Sequence, residues 1–367
     1  MTKKTKYSLA EILKEINDFR NPNQIKYELQ NILLIVIIGI LVGLVHSSHI
    51  SEFAKSQEGW FKDKLELDSV PSHDTLERVL AFIDFKDLEA ATILWLEQLL
   101  EDKQLRKRLQ IDAKKTDKKS PNTTTFLRAF IGNLKLVIGS KRIPEYHNEI
   151  SEIPKLLKKL SIKGFLVSID AIGTQTKIIK LLLSKGANYL LPVKKNQKNL
   201  YKDLMLYCES ETSSEIYQTY DKSHGRKEKR KFYKFDKVNW IHKRLPKWSH
   251  IKSFGLLESY RKEKGKKASI TKRIFICSID LTAEEFLHEI RAHWSIENNL
   301  HWSLNQSFQE NKVQSKCTGF INNFSLLLNF TLGLLANSKP KNISFNLHKL
   351  SLFSNLNNIP KLLYSGL

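Results

Sequence analysis

An α/β fold is predicted for this chain, with an all-helical region ahead of the sheet and a β-rich insertion inside it. Three observations carry the prediction. Up to about residue 104 the apolar residues recur only at helical spacing. From Leu109 to Val193 short apolar runs alternate with amphipathic helices, and two of those runs end in Asp. From 196 to 285 aromatic and basic residues alternate at period two, after which helical spacing returns. At 367 residues, 41% of them hydrophobic, the chain can bury a sizeable core in two or three domains. The expected divisions are 1–104 for the helical region, 105–195 for the first part of the core and 196–285 for the insertion. The core's returning helices follow at 286–337, and a tail at 338–367.

Leu9–Phe19 is a short amphipathic segment. Ile32–Val45 is apolar throughout but shorter than the roughly 20 residues a membrane span needs, so a buried core helix is expected. The chain breaks near Gly43–His49. Pro71-Ser72-His73-Asp74-Thr75 then opens a helix, with Ser72 as N-cap and Asp74 at the positive end of the dipole. Leu88–Leu105 is helical again. Leu109–Asp112 is a short strand, and Phe126–Phe130 and Lys135–Ile138 are two more, joined at Gly132-Asn133. Glu149–Leu160 has one apolar face. Gly164–Asp170 is nearly all apolar, as a strand buried on both faces should be. A helix over Thr176–Lys185 and a strand over Tyr189–Val193 complete the run. Strand, strand, strand, helix, strand, helix, strand is the element order of a ribonuclease-H-like core. In the insertion, strands are expected at Lys231–Phe235, Ser253–Ser259 and Arg273–Cys277. Thr282–Gln309 reads as one helix, and Phe324–Ala336 as a second packed on it. The tail carries no clear pattern.

Sixty Lys and Arg against 38 Asp and Glu leave a net charge of +22, which implies a polyanionic partner. Cys208, Cys277 and Cys317 are scattered and form no C-x-x-C pair, which fits a reducing cytoplasm better than a disulfide or zinc framework. No apolar run near the start resembles a signal peptide, and no membrane association is expected.

The chemistry concentrates in His293-Trp294-Ser295-Ile296-Glu297-Asn298-Asn299-Leu300-His301-Trp302. On a helix His293, Glu297 and His301 stack at i, i+4 and i+8, with Arg291 just upstream. Ligands of open α/β sheets bind off the carboxyl ends of strands, and Asp112 and Asp170 each end one. If those strands are neighbours, Asp112, Asp170 and Glu297 converge. Three hard oxygen donors select Mg²⁺ or Mn²⁺, and two such ions suit phosphoryl transfer. A His-Glu-His zinc site is the competing reading, but it leaves both Asp residues unexplained.

The chain resembles the DDE transposases of bacterial insertion sequences, in the branch that includes the H-repeat-associated proteins. The matching pieces are Val70–Thr75, Leu109–Lys114, Asn148–Ile150, Val167–Gly173, Asn188–Gln197, the His224-Gly225-Arg226 block with Glu228 and Arg230, and Arg291–Trp302. The resemblance implies a ribonuclease-H-like core with a β insertion between the second Asp and the Glu. Asp112, Asp170 and Glu297 fall at its three acidic positions. It also implies cleavage of double-stranded DNA at element ends, strand transfer into target DNA, and a homodimer on DNA in the bacterial cytoplasm. The chain departs from the family at Ala113, where Gly is usual, at Asp117-Lys118-Lys119, at Asn305 and at Asn311. Two alternatives stay open: a catalytically degenerate DNA-binding relative, and a nuclease that cuts without joining.

Supporting roles are expected around the triad. Lys114 contacts phosphate or balances the carboxylates. Arg291, Lys194, Asn196, His224 and Arg226 are candidate phosphate contacts, and His293 and His301 orient Glu297 or the phosphate. Trp294 and Trp302 are expected to pack between helix and sheet.

Overall fold

The computed structural model of the chain describes residues 7–67, 69–101, 107–116, 124–223, 225–263, 265–313 and 315–364. It is a mixed α/β fold with a helical N-terminal region and one large mixed sheet. The N-terminal helices are α1 (Leu9–Lys14), α2 (Leu29–Leu41), α3 (Ser47–Ser56), α4 (Glu58–Leu65), α5 (His73–Phe82) and α6 (Phe85–Glu101). Almost every residue of α2 is buried, as its unbroken apolar run requires. The turn after it needs Gly43, whose φ is +101°. Ser72 caps α5, its Oγ accepting from the Thr75 N–H.

Nine strands follow: β1 (Arg108–Lys115), β2 (Thr125–Ile131), β3 (Leu136–Ile143), β4 (Leu166–Ile169), β5 (Asn188–Val193), β6 (Glu215–Ser223), β7 (Arg226–Phe235), β8 (Ser253–Glu263) and β9 (Ser269–Cys277). They form a single sheet in the order β3-β2-β1-β4-β5-β9-β8-β7-β6. β1 to β3 are antiparallel neighbours, whereas β1, β4 and β5 run parallel. β9 joins β5 antiparallel and carries the β8-β7-β6 meander outward. The segment between β5 and the Glu297 region therefore extends the same sheet. It also contains helices α9 (Lys198–Ser210) and α10 (Asn239–Arg244).

The crossover helices are α7 (Glu149–Lys159) and α8 (Thr176–Ser184). On α7, Ile153, Leu156 and Leu157 are buried. Gly139 of β3 lets this helix close in, because a Cβ there would lie 2.9 Å from Leu160. β4 is buried at every residue, in keeping with a central parallel strand.

The C-terminal third corrects two expectations and adds structure where the sequence carried no pattern. Thr282–Gln309 is not one α-helix. α11 (Ala283–His293) ends at the first His, a π-helical turn spans Ile296–His301, and α12 (Trp302–Gln306) resumes. The second apolar helix, α13 (Thr318–Ser338), meets α12 but packs chiefly on α5, α2, α6 and β3. By length and composition α13 could cross a membrane, yet most of it is buried inside this fold. Finally, the tail is ordered as α14 (Phe345–Ser354) and α15 (Ile359–Tyr364). Phe353 stacks on Phe53, and Trp60 Nε1 donates to Asn357. The helical layer thus takes in both ends of the described chain.

Candidate active site

β1 and β4 are hydrogen-bonded neighbours with Ile111 opposite Ile169. The next residue on each is an aspartate, so Asp112 and Asp170 stand side by side. Asp112 Oδ1 accepts from the Ala113 N–H at 2.9 Å. Asp170 leaves the sheet as the cap of a turn over Ala171–Gly173, accepting from the Ile172 N–H at 3.0 Å. That turn is braced from behind. Asn196 Nδ2 donates to Ala171 O at 2.7 Å, and Gln197 Nε2 donates to Thr174 O at 2.8 Å. Asn196, expected at a phosphate, thus has its amide nitrogen engaged in bracing the turn that carries Asp170. Asn196→Ala is expected to cost about 1 kcal/mol and to speed amide exchange at Ile172. Unchanged exchange there would show that the turn holds itself.

Glu297 comes from the π-helical turn, which packs against β1. In this turn the Trp302 N–H donates to Glu297 O, five residues back rather than four. Such insertions recur at functional sites because they rotate side chains off the helical repeat. Gly132 admits the turn: a Cβ there would lie 2.4 Å from Ser295 Oγ.

Burial, together with the charges of Asp170, Glu149 and Glu297, pushes the Asp112 carboxyl up to about 7. Glu149, in the first turn of α7, is itself raised by partial burial and by Asp170. It is a fourth acidic group at this place. Sequence reasoning passed over it because a Glu after an Asn cap looks like a response to the helix dipole, and nothing in the sequence says where α7 begins relative to β4. Among the described residues, no three His, Cys, Asp or Glu side chains already stand close enough to hold one ion. The donor set nevertheless suits a divalent cation: it is all oxygen, and its members repel one another.

The two histidines are neutral. His293 is drawn down to about 4 by burial, against the pull of Asp170, and its Nδ1 lies 2.9 Å from Ser168 Oγ. His301 is drawn down to about 3 by burial and by Arg128 and Lys114. Its Nδ1 is 3.8 Å from Asp112 Oδ2, which with an uncharged ring is neither an ion pair nor a hydrogen bond. Its Nε2 is buried without a partner.

Asp170, Glu297 and His293 open onto a cleft of about 850 Å³. Its far wall is one face of β7, β8 and β9, with Arg230, Arg261 and Arg273. Lys194, Arg226 and Arg291 also line it. Arg226 pairs with Glu228 at 3.3 Å, and Arg291 pairs with Asp221 at 3.5 Å. Trp294 lines the cleft half-buried, under the Arg273 guanidinium. His224 lies outside the described residues, as do Asp117, Lys118 and Lys119.

Two expectations fail. Lys114 does not reach the carboxylates. It is buried, and its Nζ donates to Glu310 at 2.6 Å. Glu310 is also bonded to Arg128, and it accepts from Ser325 Oγ at 2.9 Å. Trp302 is not packed between helix and sheet but is 58% exposed, because the π turn swings it outward.

The model of the transposase DDE domain matches residues 104–334, and that of the DDE transposase-associated region matches residues 10–96. The chain is 31% identical over 317 residues to "Putative transposase YncI" of Escherichia coli O157:H7, covering 83% of this chain and 80% of that one. It is 30% identical over 346 residues to "H repeat-associated putative transposase YhhI" of Escherichia coli strain K12, covering 90% of this chain and 91% of that one. The same figures hold for "Putative protein YbfL" of that strain.

Proposed function

This chain belongs to the DDE transposase family, and on that premise we propose that it cuts and joins DNA at an acidic centre of Asp112, Asp170 and Glu297. The observation that carries the proposal is the pairing of Ile111 with Ile169, which sets Asp112 beside Asp170, and Asp170 in turn lines a basic cleft. The strand order β3-β2-β1-β4-β5, antiparallel and then parallel, supports a ribonuclease-H-like core. The β6–β9 meander lies in the chain where the family's insertion is expected, between the second Asp and the Glu.

Asp112, Asp170 and Glu297 would hold Mg²⁺ or Mn²⁺, with Glu149 as a further carboxylate beside them. Bound there, such ions would supply activation of a water or a 3′-hydroxyl and stabilisation of the leaving oxygen. The chain's own groups do the rest. Lys194, Arg226 and Arg291 attract and orient the phosphates flanking the scissile bond. Neutral His293, tied to Ser168, fixes the end of α11 so that Glu297 enters at one angle. The uncharged His301 fills the space behind Asp112 without adding a cation that would compete for its carboxylate. Two DNA ends are joined in transposition, so a homodimer on DNA is part of the proposal.

The test uses duplexes from the DNA flanking the reading frame. Wild type is expected to cleave them with Mg²⁺ and to yield strand-transfer products. Asp170→Asn and Glu297→Gln are expected to lose roughly a thousandfold or more in rate while keeping DNA affinity. Cleavage at wild-type rate by either variant would remove that residue from the centre. The second reading is a DNA-binding relative that has lost catalysis. It is favoured by the carboxylates not being gathered around one point, and wild type that binds but never cleaves would establish it.

A further inference from the structure

The meander β6–β9 has two faces, and the cleft uses only one. Along β7, Arg226, Glu228 and Arg230 point to the cleft, so the intervening Lys227, Lys229 and Lys231 point away. Register fixes what stands beside them. Lys227 is directly opposite Lys222 on one side and Lys262 on the other. All three are exposed, and among the described residues no ion pair engages them. Three like charges in one cross-strand row destabilise a sheet, so this row is not explained by folding. The next row runs Tyr220, Lys229, Tyr260, Ile270 across all four strands. Tyr220 is 62% exposed and Ile270 is 68% exposed. In the third row Glu258 stands between Lys231 and Lys272 and pairs with Lys272 at 3.2 Å, so both signs of charge meet there and the all-cationic row is the outermost.

We propose that this outer face is a second DNA-binding surface, separate from the cleft, which takes the phosphate backbone of a second duplex. Three ammonium groups across about 10 Å match a length over which one DNA strand offers about three phosphates. The tyrosines and Ile270 supply flat contact for sugar edges beside those charges. An anionic partner removes the repulsion within the row, which is why the row points to a polyanion rather than to a protein surface of mixed charge. The inference rests on the DNA-joining reading for the identity of that polyanion, since joining requires two DNA segments to be held at once.

The experiment uses the full chain and a random-sequence duplex as probe. The triple variant Lys222→Gln, Lys227→Gln, Lys262→Gln is compared with wild type for the salt dependence of binding. Recruitment of a second labelled duplex to an immobilised first one is measured as well. The expected result is a salt slope flatter by about 2 to 3 and loss of second-duplex recruitment, with Mg²⁺-dependent cleavage of flanking DNA unchanged. An unaltered slope with normal recruitment would overturn the proposal. Loss of cleavage in wild type would instead defeat the catalytic reading, and the slope and recruitment measurements would still decide this one. Thermal melting of the triple variant should match or exceed wild type, because a repulsive row has been removed.

Discussion

Glu310→Gln is expected to lower stability by roughly 3–5 kcal/mol. Glu310 is buried with Lys114 on one oxygen, and with Arg128 and Ser325 on the other. Lys114 is on β1, Arg128 on β2 and Ser325 on α13, so one carboxylate fastens two strands to the central helix. Burial alone would raise its pKa, but the two cations hold it below the usual carboxylate range. Removing the negative charge strands both cations out of water, and that residual penalty is what the substitution measures. Lys114→Met should cost much less, because Glu310 keeps Arg128. Urea denaturation of the two variants gives the comparison. A Glu310→Gln cost under about 1 kcal/mol would mean that the cations find water or another anion.

Asp112→Asn should act in the opposite direction, and only above a definite pH. The folded-state pKa of about 7 lies above the 3.8 of a free aspartate, because burial and three neighbouring carboxylates disfavour the charge. The fold therefore prefers the protonated form. Stability from this group is fully present below about pH 4, falls as the pH rises towards 7, and is flat above that. The Asn variant lacks this loss. It should match wild type near pH 4 and exceed it at pH 8 by about 2–4 kcal/mol. Mg²⁺ should recover most of that deficit in wild type and little of it in the variant, since a cation offsets the repulsion that Asn has already removed. Parallel melting curves at pH 4 and pH 8 decide this, and a difference that does not change with pH would mean that Asp112 is not electrostatically strained.

Much of this arrangement was legible in the residues. The helices ahead of the sheet follow from apolar spacing, and the aspartates at strand ends follow from where the apolar runs stop. What could not be read is what depends on neighbours distant in sequence. Lys114 has Asp112's parity on β1, so sequence placed it with the carboxylates, while its partner Glu310 lies nearly 200 residues away. The π turn was hidden because Ile296, Leu300 and Leu304 keep a regular four-residue spacing through it. Strand β6 was missed because its polar alternation resembles a solvated loop until β7 pairs with it. Helices α14 and α15 were missed because their burial comes from the N-terminal layer and not from their own composition.

The continuity of the sheet has a mechanical consequence. The arginine wall of the cleft is joined to Asp170 through an unbroken ladder, β4 to β5 to β9, with no hinge between them. Swinging that wall would require breaking ladder hydrogen bonds along a buried strand, so its distance from the acidic centre is set during folding. Substrate then meets a frame that is already stiff, and little ordering of the wall remains to oppose binding. In such a frame the fit has to come from the substrate's own deformation, because the wall does not yield.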